Sequence, residues 1–181
     1  MNTPNKLTLL RIILVPLFMV LLLMESTQAQ IGAFIVFALA SLTDMLDGQI
    51  ARKHNLITTF GKFMDPLADK MLTTAAFVVF MEKGIIGSWP IMIILTREFM
   101  VSGVRLVAAG EGNVIAAAFW GKFKTVAQMV AIMATIILTF GFIPQETAYT
   151  ISAILIWISV IFTVISGVEY IWKNRNLIKM K

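Results

Sequence analysis

The chain has 181 residues, 59% of them hydrophobic, with 15 Lys+Arg against 10 Asp+Glu and a mean hydropathy of +0.87. A soluble domain of this length is nearer half apolar, and here the excess falls in long runs, so the chain reads as an integral membrane protein. The lack of cysteine excludes disulfides and thiol chemistry, and a single histidine, His54, excludes a multi-histidine metal site.

Six apolar segments are predicted, at about 7–24, 31–51, 63–81, 89–109, 119–140 and 148–172. Each is near the ~20 residues that a helix needs to cross the hydrocarbon layer. None alternates polar with apolar as a membrane strand would, and helices satisfy every backbone group internally. The expected fold is therefore an all-α integral membrane protein with six transmembrane helices, a single membrane-embedded domain over 1–181. The first segment has features of a signal peptide, with Lys6 before an apolar stretch and small residues near Ala29. Arg11 inside the stretch and five further spans favour a retained helix. Pro16 is expected either to kink this helix or to mark where an interfacial turn becomes a span.

Short loops at 25–30, 82–88 and 141–147 alternate with 54–62, 110–118 and the termini. Of the 15 Lys+Arg, 14 lie toward the second set and only Lys83 toward the first. This asymmetry predicts both termini in the cytoplasm. The net charge of +5 is thus topology, with attraction to anionic lipid, rather than a nucleic-acid surface. The basic residues of 173–181 read as a solvated tail. Trp89 and Trp172 read as interfacial anchors, and the 12 Met and 13 Phe as packing and lipid contact.

The chemistry concentrates where the second segment ends and the third begins. Asp44 and Asp47 are three apart, Asp65 and Asp69 four apart, and both spacings put side chains on one helix face. A return loop sets both pairs at one depth. Four carboxylates so close repel one another, and near a membrane each is costly. Divalent cations with hard oxygen ligands offset this, and two would balance four carboxylates; Mg²⁺ takes one or two carboxylates plus substrate phosphates. Paired metals clamp the attacking and leaving oxygens of a phosphoryl displacement. Gly48 and Ala51 leave room for a substrate or another backbone, and Arg52 can pair with a phosphate or an acid. Gly61 suits a turn before the third helix. Pro66 fits a helix start capped by Asp65, or a kink. The alternative for any single aspartate is a solvated interfacial charge.

These residues match D-x-x-D-G-x-x-A-R-x8-G-x3-D-x3-D at Asp44, Asp47, Gly48, Ala51, Arg52, Gly61, Asp65 and Asp69, with no departure. The stretch resembles the signature of the CDP-alcohol phosphatidyltransferase family. Pro4–Ile12, Thr96–Phe99, Ser102–Ala108 and Gly121–Thr125 are similar to the bacterial branch whose acceptor is glycerol 3-phosphate. The resemblance implies a six-helix fold in the cell membrane with a cytoplasm-facing site, transfer of a phosphatidyl group from CDP-diacylglycerol to an alcohol with release of CMP, and homodimers among membrane lipids. It implies that Asp44, Asp47 and Asp65 ligate metal, Mg²⁺ or Mn²⁺, and that Asp69 is a ligand, the general base, or both; two ions is the number that charge balance suggests. Gly48, Ala51, Arg52, Gly61, Asn5 and Thr43 would lie along CDP-diacylglycerol; Thr43 and Ser41 can instead bond to their own helix.

An acceptor that carries a phosphate needs cations. Arg97 and Arg105 are about 80° apart around one helix and are expected to border one cavity. Arg11, Lys122 and Lys124 lie toward the same side, and Thr8 precedes Arg11 by one turn. These six are the candidate acceptor-phosphate residues; headgroup snorkelling is the alternative for Lys122, Lys124, Arg97 and Arg105, and a helix-start cap for Asn5 and Thr8. Glu98 can neutralise a neighbouring arginine. Other readings are the same chemistry with inositol phosphate, serine or phosphatidylglycerol as acceptor, a small cation transporter, or a membrane scaffold. A transporter needs acids deep in several helices, and a scaffold leaves the acid spacing unexplained.

Overall fold

The structure, a computed structural model, describes the backbone of residues 3–53, 59–110 and 119–175, and side chains over 6–43, 64, 67–68, 70–108 and 119–175. The described residues form six helices and no strand: α1 (Thr3–Leu23), α2 (Thr27–Lys53), α3 (Thr59–Glu82), α4 (Ser88–Gly110), α5 (Phe119–Leu138) and α6 (Gln145–Lys173). Each predicted apolar run lies on one of them. Among the described residues, α1, α5 and α6 are long and apolar enough to cross a membrane.

Local chemistry sets the ends. The Ser26 hydroxyl accepts the Ala29 N–H at 3.3 Å and caps α2. At the end of α3, the Ile85 N–H donates to the Phe80 carbonyl at 2.9 Å and the Gly84 N–H to Met81 at 3.0 Å. This is a Schellman stop, and Gly84 takes the left-handed conformation that it requires, φ +73°. Gly84→Ala finds no neighbour in its way but pays the left-handed penalty, so a loss of about 1 kcal/mol in unfolding stability is expected, measured by denaturant titration in detergent. An unchanged midpoint would show that the turn does not need glycine.

Three local expectations change. α1 runs unbroken through Pro16, so this residue does not mark where the helix begins. α3 begins at Thr59, which puts Gly61 within the helix and Asp65 six residues inside it; Gly61 is not in a turn and Asp65 is not the cap. Thr8 lies inside α1 rather than at its start. In each case helix continuity outweighs a local preference worth about 1 kcal/mol for glycine and more for proline.

α1 packs against α2 and α3, α5 against α6, and α4 mainly against α6. The centre is apolar: Phe18, Phe37, Phe77, Phe80, Ile132 and Ile156 are fully buried or nearly so. Phe18 and Phe37 join α1 to α2 with ring centroids 5.6 Å apart. Buried alanines (Ala33, Ala40, Ala76 and Ala131 among them) let helices approach closely, as membrane helices do. Buried hydroxyls of Thr135, Ser159 and Thr163 donate to carbonyls one turn back, so they add no orphan groups. The outer surface is also apolar, with Ile13, Val20, Leu106, Ile154, Ile161 and Val168 exposed. A shell this greasy is a surface for lipid, not water. The chain is a membrane protein.

The α1–α2, α3–α4 and α5–α6 connections meet at one end, where they line a cavity of ≈ 550 Å³ that includes Glu25, Gln30, Glu82, Lys83 and Tyr149. Burial there lowers the pKa of Lys83 below its usual value, opposed by the nearby Glu25 carboxylate. The helices therefore alternate in direction, and the α2–α3 junction lies at the opposite end.

Candidate active site

Only residues 54–58 separate α2 from α3, and the two helices touch. Asp47 lies six residues before the end of α2 and Asp65 six after the start of α3. At 1.5 Å per residue both are about 9 Å from the junction, with Asp44 and Asp69 about 14–15 Å from it. The backbone thus brings the two acidic pairs to matching depths on antiparallel neighbours. Gly48, Ala51 and Arg52 continue α2 toward the junction. The side chains of these residues, and those of Asn5 and Gly61, lie outside the described residues.

The walls of this end are better defined. Thr8 and Arg11 share one face of α1 and are 0% and 1% exposed. An arginine this buried is not a snorkelling headgroup contact, and its charge requires close polar company. Thr43 donates to the Ala40 carbonyl at 2.8 Å, the bond to its own helix that its position allowed. Ser41, beside it, has a buried hydroxyl with no partner among the described residues.

Four helices, α3 to α6, build a cationic cluster. Its centre is Glu98, the eleventh of 23 residues in α4. Arg97 Nη1 lies 3.0 Å from Glu98 Oε1, and Lys124 of α5 donates to the same oxygen. Lys70 Nζ of α3 lies 3.9 Å from Glu98 Oε2 and 3.5 Å from the Glu98 carbonyl oxygen, and donates to Ser102 Oγ. Arg97 Nη2 reaches Ser166 Oγ of α6 at 2.5 Å. A Cβ on Gly167 would meet Arg97 Cγ at 3.0 Å, so the missing side chain of Gly167 makes room for the arginine stem. Three cations and one anion leave this cluster with a formal charge of +2. Lys70 directly follows Asp69, so along the chain the cluster begins one residue after the acidic signature.

Arg97 and Lys124 are brought together, as sequence reasoning grouped them. Arg105 lies elsewhere on the same interface: its guanidinium sits 5.6 Å from the centre of the Tyr170 ring, one turn along α6 from Ser166. Lys122 is exposed whereas Lys124 is buried. Residues two apart on a helix point to opposite sides, which separates this pair. Glu98 does neutralise Arg97. Sequence reasoning overlooked Lys70, Ser102 and Ser166; the available signal for Lys70 was a lysine inside an apolar helix directly after an acid.

An acidic signature on two neighbouring helices, followed directly in sequence by the first cation of a buried cluster, is thus set in a membrane protein. Residues 1–165 match the sequence model of the CDP-alcohol phosphatidyltransferases. The chain belongs to this family, whose members in general depend on a divalent metal. Among individual proteins, it is 42% identical to the CDP-diacylglycerol--glycerol-3-phosphate 3-phosphatidyltransferase of Bacillus subtilis (strain 168), over 98% of this chain and 97% of the relative. Proteins of the same name are 37% identical in Rickettsia bellii, over 93% of both chains, and 35% identical in Haemophilus influenzae, over 94% of this chain and 91% of the relative.

Proposed function

We propose that this protein transfers the phosphatidyl group of CDP-diacylglycerol to glycerol 3-phosphate, giving phosphatidylglycerophosphate and CMP, a step of phospholipid synthesis. The observation that carries the reading is the Asp44–Asp69 signature followed directly in sequence, at Lys70, by the first of three cations gathered around Glu98. One part suits a metal-bound diphosphate, the other an acceptor with its own phosphate. The high similarity to enzymes named for this reaction supports the same acceptor over inositol phosphate, serine or phosphatidylglycerol, and family membership argues against a cation transporter.

All of 1–181 forms one catalytic domain in this reading. Six helices of 20 to 29 residues are each long enough to span about 30 Å of hydrocarbon. With 14 of 15 Lys+Arg away from the Lys83 end, the termini and the active site face the cytoplasm in the cell membrane. Asp44, Asp47, Asp65 and Asp69 offer only hard oxygen donors, which fit two Mg²⁺ or Mn²⁺ ions. When bound, these ions supply charge stabilisation on the diphosphate and on departing CMP. Gly48, Ala51, Arg52, Gly61, Asn5 and Thr43 line the CDP-diacylglycerol path. Arg97 and Lys124, with the buried Thr8 and Arg11, serve the acceptor phosphate, while Arg105 on Tyr170 and the exposed Lys122 stand apart from them. The enzyme works as a homodimer.

The chemistry is a displacement. The acceptor hydroxyl loses its proton to Asp69, and its oxygen bonds to the lipid-side phosphorus. The bond from that phosphorus to the CMP oxygen breaks, and CMP leaves with the electron pair. Catalysis is mainly positioning and electrostatics, with no covalent enzyme intermediate. The test is purified protein in detergent with CDP-diacylglycerol and Mg²⁺, given one acceptor at a time. CMP release is expected with glycerol 3-phosphate. No release with any acceptor would refute the reading, and release only with another alcohol would change the acceptor.

A further inference from the structure

We infer that Glu98 is a positioning residue that stands in for an anion, holding Lys70, Arg97 and Lys124 converged on the place that the acceptor phosphate takes. This rests on the proposed transfer to glycerol 3-phosphate and adds Lys70 and Glu98 to its acceptor site.

Three cations drawn from α3, α4 and α5 repel one another and would turn apart without a shared partner. Glu98 uses both carboxylate oxygens, one toward Arg97 and Lys124 and the other toward Lys70. Among the described residues, Ser102 also holds Lys70, Ser166 holds Arg97, and Gly167 admits the Arg97 stem. The site is low in water, since the Arg97, Lys124 and Glu98 side chains are 11%, 6% and 16% exposed. Charges so far along a membrane helix are costly and are kept for a function. A phosphate monoester above its second pKa of about 6 is a dianion, opposite in sign to these three cations. A dianion entering here takes over the cation contacts that Glu98 maintains in its absence, so the donors need no reorganisation.

This account makes a prediction of unexpected sign. Glu98→Gln raises the local charge from +2 to +3, and simple attraction would tighten phosphate binding. Loss of positioning does the opposite. The experiment measures CMP release by the full-length protein in detergent, with glycerol 3-phosphate and, separately, uncharged glycerol as acceptor. For Glu98→Gln the KM for glycerol 3-phosphate is expected to rise about 10- to 100-fold, the scale of a charge-assisted hydrogen bond lost. The preference for glycerol 3-phosphate over glycerol, in kcat/KM, should fall by a similar factor, and affinity for CDP-diacylglycerol should hold. Glu98→Asp should restore part of the preference. Ser102→Ala, which loosens only Lys70, should give a smaller change in the same direction and keeps the test open if Glu98→Gln does not fold. An unchanged or lower KM in Glu98→Gln, or an equal loss with both acceptors, would overturn the inference. Failure of the parent protein to use glycerol 3-phosphate would instead overturn the functional reading beneath it.

Discussion

Asp69→Asn should lower kcat for transfer to glycerol 3-phosphate by about 10²- to 10⁴-fold, the usual contribution of a positioned general base. The acceptor's primary hydroxyl is a weak nucleophile, and asparagine cannot take its proton. Asp69 sits ten residues into α3, one residue before the cation Lys70, and so is the acid nearest in sequence to the acceptor cluster. Binding of CDP-diacylglycerol, measured by calorimetry with Mg²⁺ present, should survive, because Asp44, Asp47 and Asp65 remain. The same measurement on Asp65→Asn separates the two carboxylates: a metal ligand shows its loss in Mg²⁺ requirement. Near-normal turnover in Asp69→Asn would move the base elsewhere.

The second large effect is expected on the acceptor side. Arg97→Met should raise the KM for glycerol 3-phosphate by about 10- to 100-fold, since a charge-assisted contact to phosphate is lost from a site sheltered from water. Arg97→Lys should recover only part of this, because an ammonium cannot reproduce the fork that reaches Glu98 and Ser166 together. Gly167→Val approaches the same residue from α6. With 3.0 Å between a Cβ there and Arg97 Cγ, a branched side chain must displace the arginine stem. It should therefore also raise the acceptor KM, although residue 167 carries no charge. If Arg97→Met and Gly167→Val both left the acceptor KM unchanged, Arg97 would be a structural partner of α6 and not a phosphate contact.

The relation between the acidic and cationic parts has a physical reading. The acids lie on two consecutive helices joined by a short connection, so their matching depth depends on one local reversal of the chain. The cations come from α3, α4 and α5, and their meeting depends on how three helices pack. Glu98 carries much of that burden, because one carboxylate satisfies charges that otherwise repel. Arg105 and Lys122 show the other side. Arg105 rests on Tyr170, and Lys122 points away from Lys124, so grouping basic residues by sequence segment joined side chains that the helix surface separates.

By itself, the sequence determined the helical class, the six helical segments and the acid-bearing junction. Those follow from features that are local along the chain: the length of apolar runs and the three- and four-residue spacing of Asp44, Asp47, Asp65 and Asp69. Helix ends were less legible. Gly61 and Pro66 suggested a start near Asp65, but α3 reaches back to Thr59, since hydrogen-bonded continuity outweighs the preference of one residue. Only the tertiary structure decided that α4 packs mainly on α6, that Arg11 is buried, and that Lys70, Glu98 and Lys124 meet across 26 to 28 residues of chain. Such contacts depend on which faces of different helices fit together, down to the missing side chain of Gly167, and no periodicity within one helix encodes that fit.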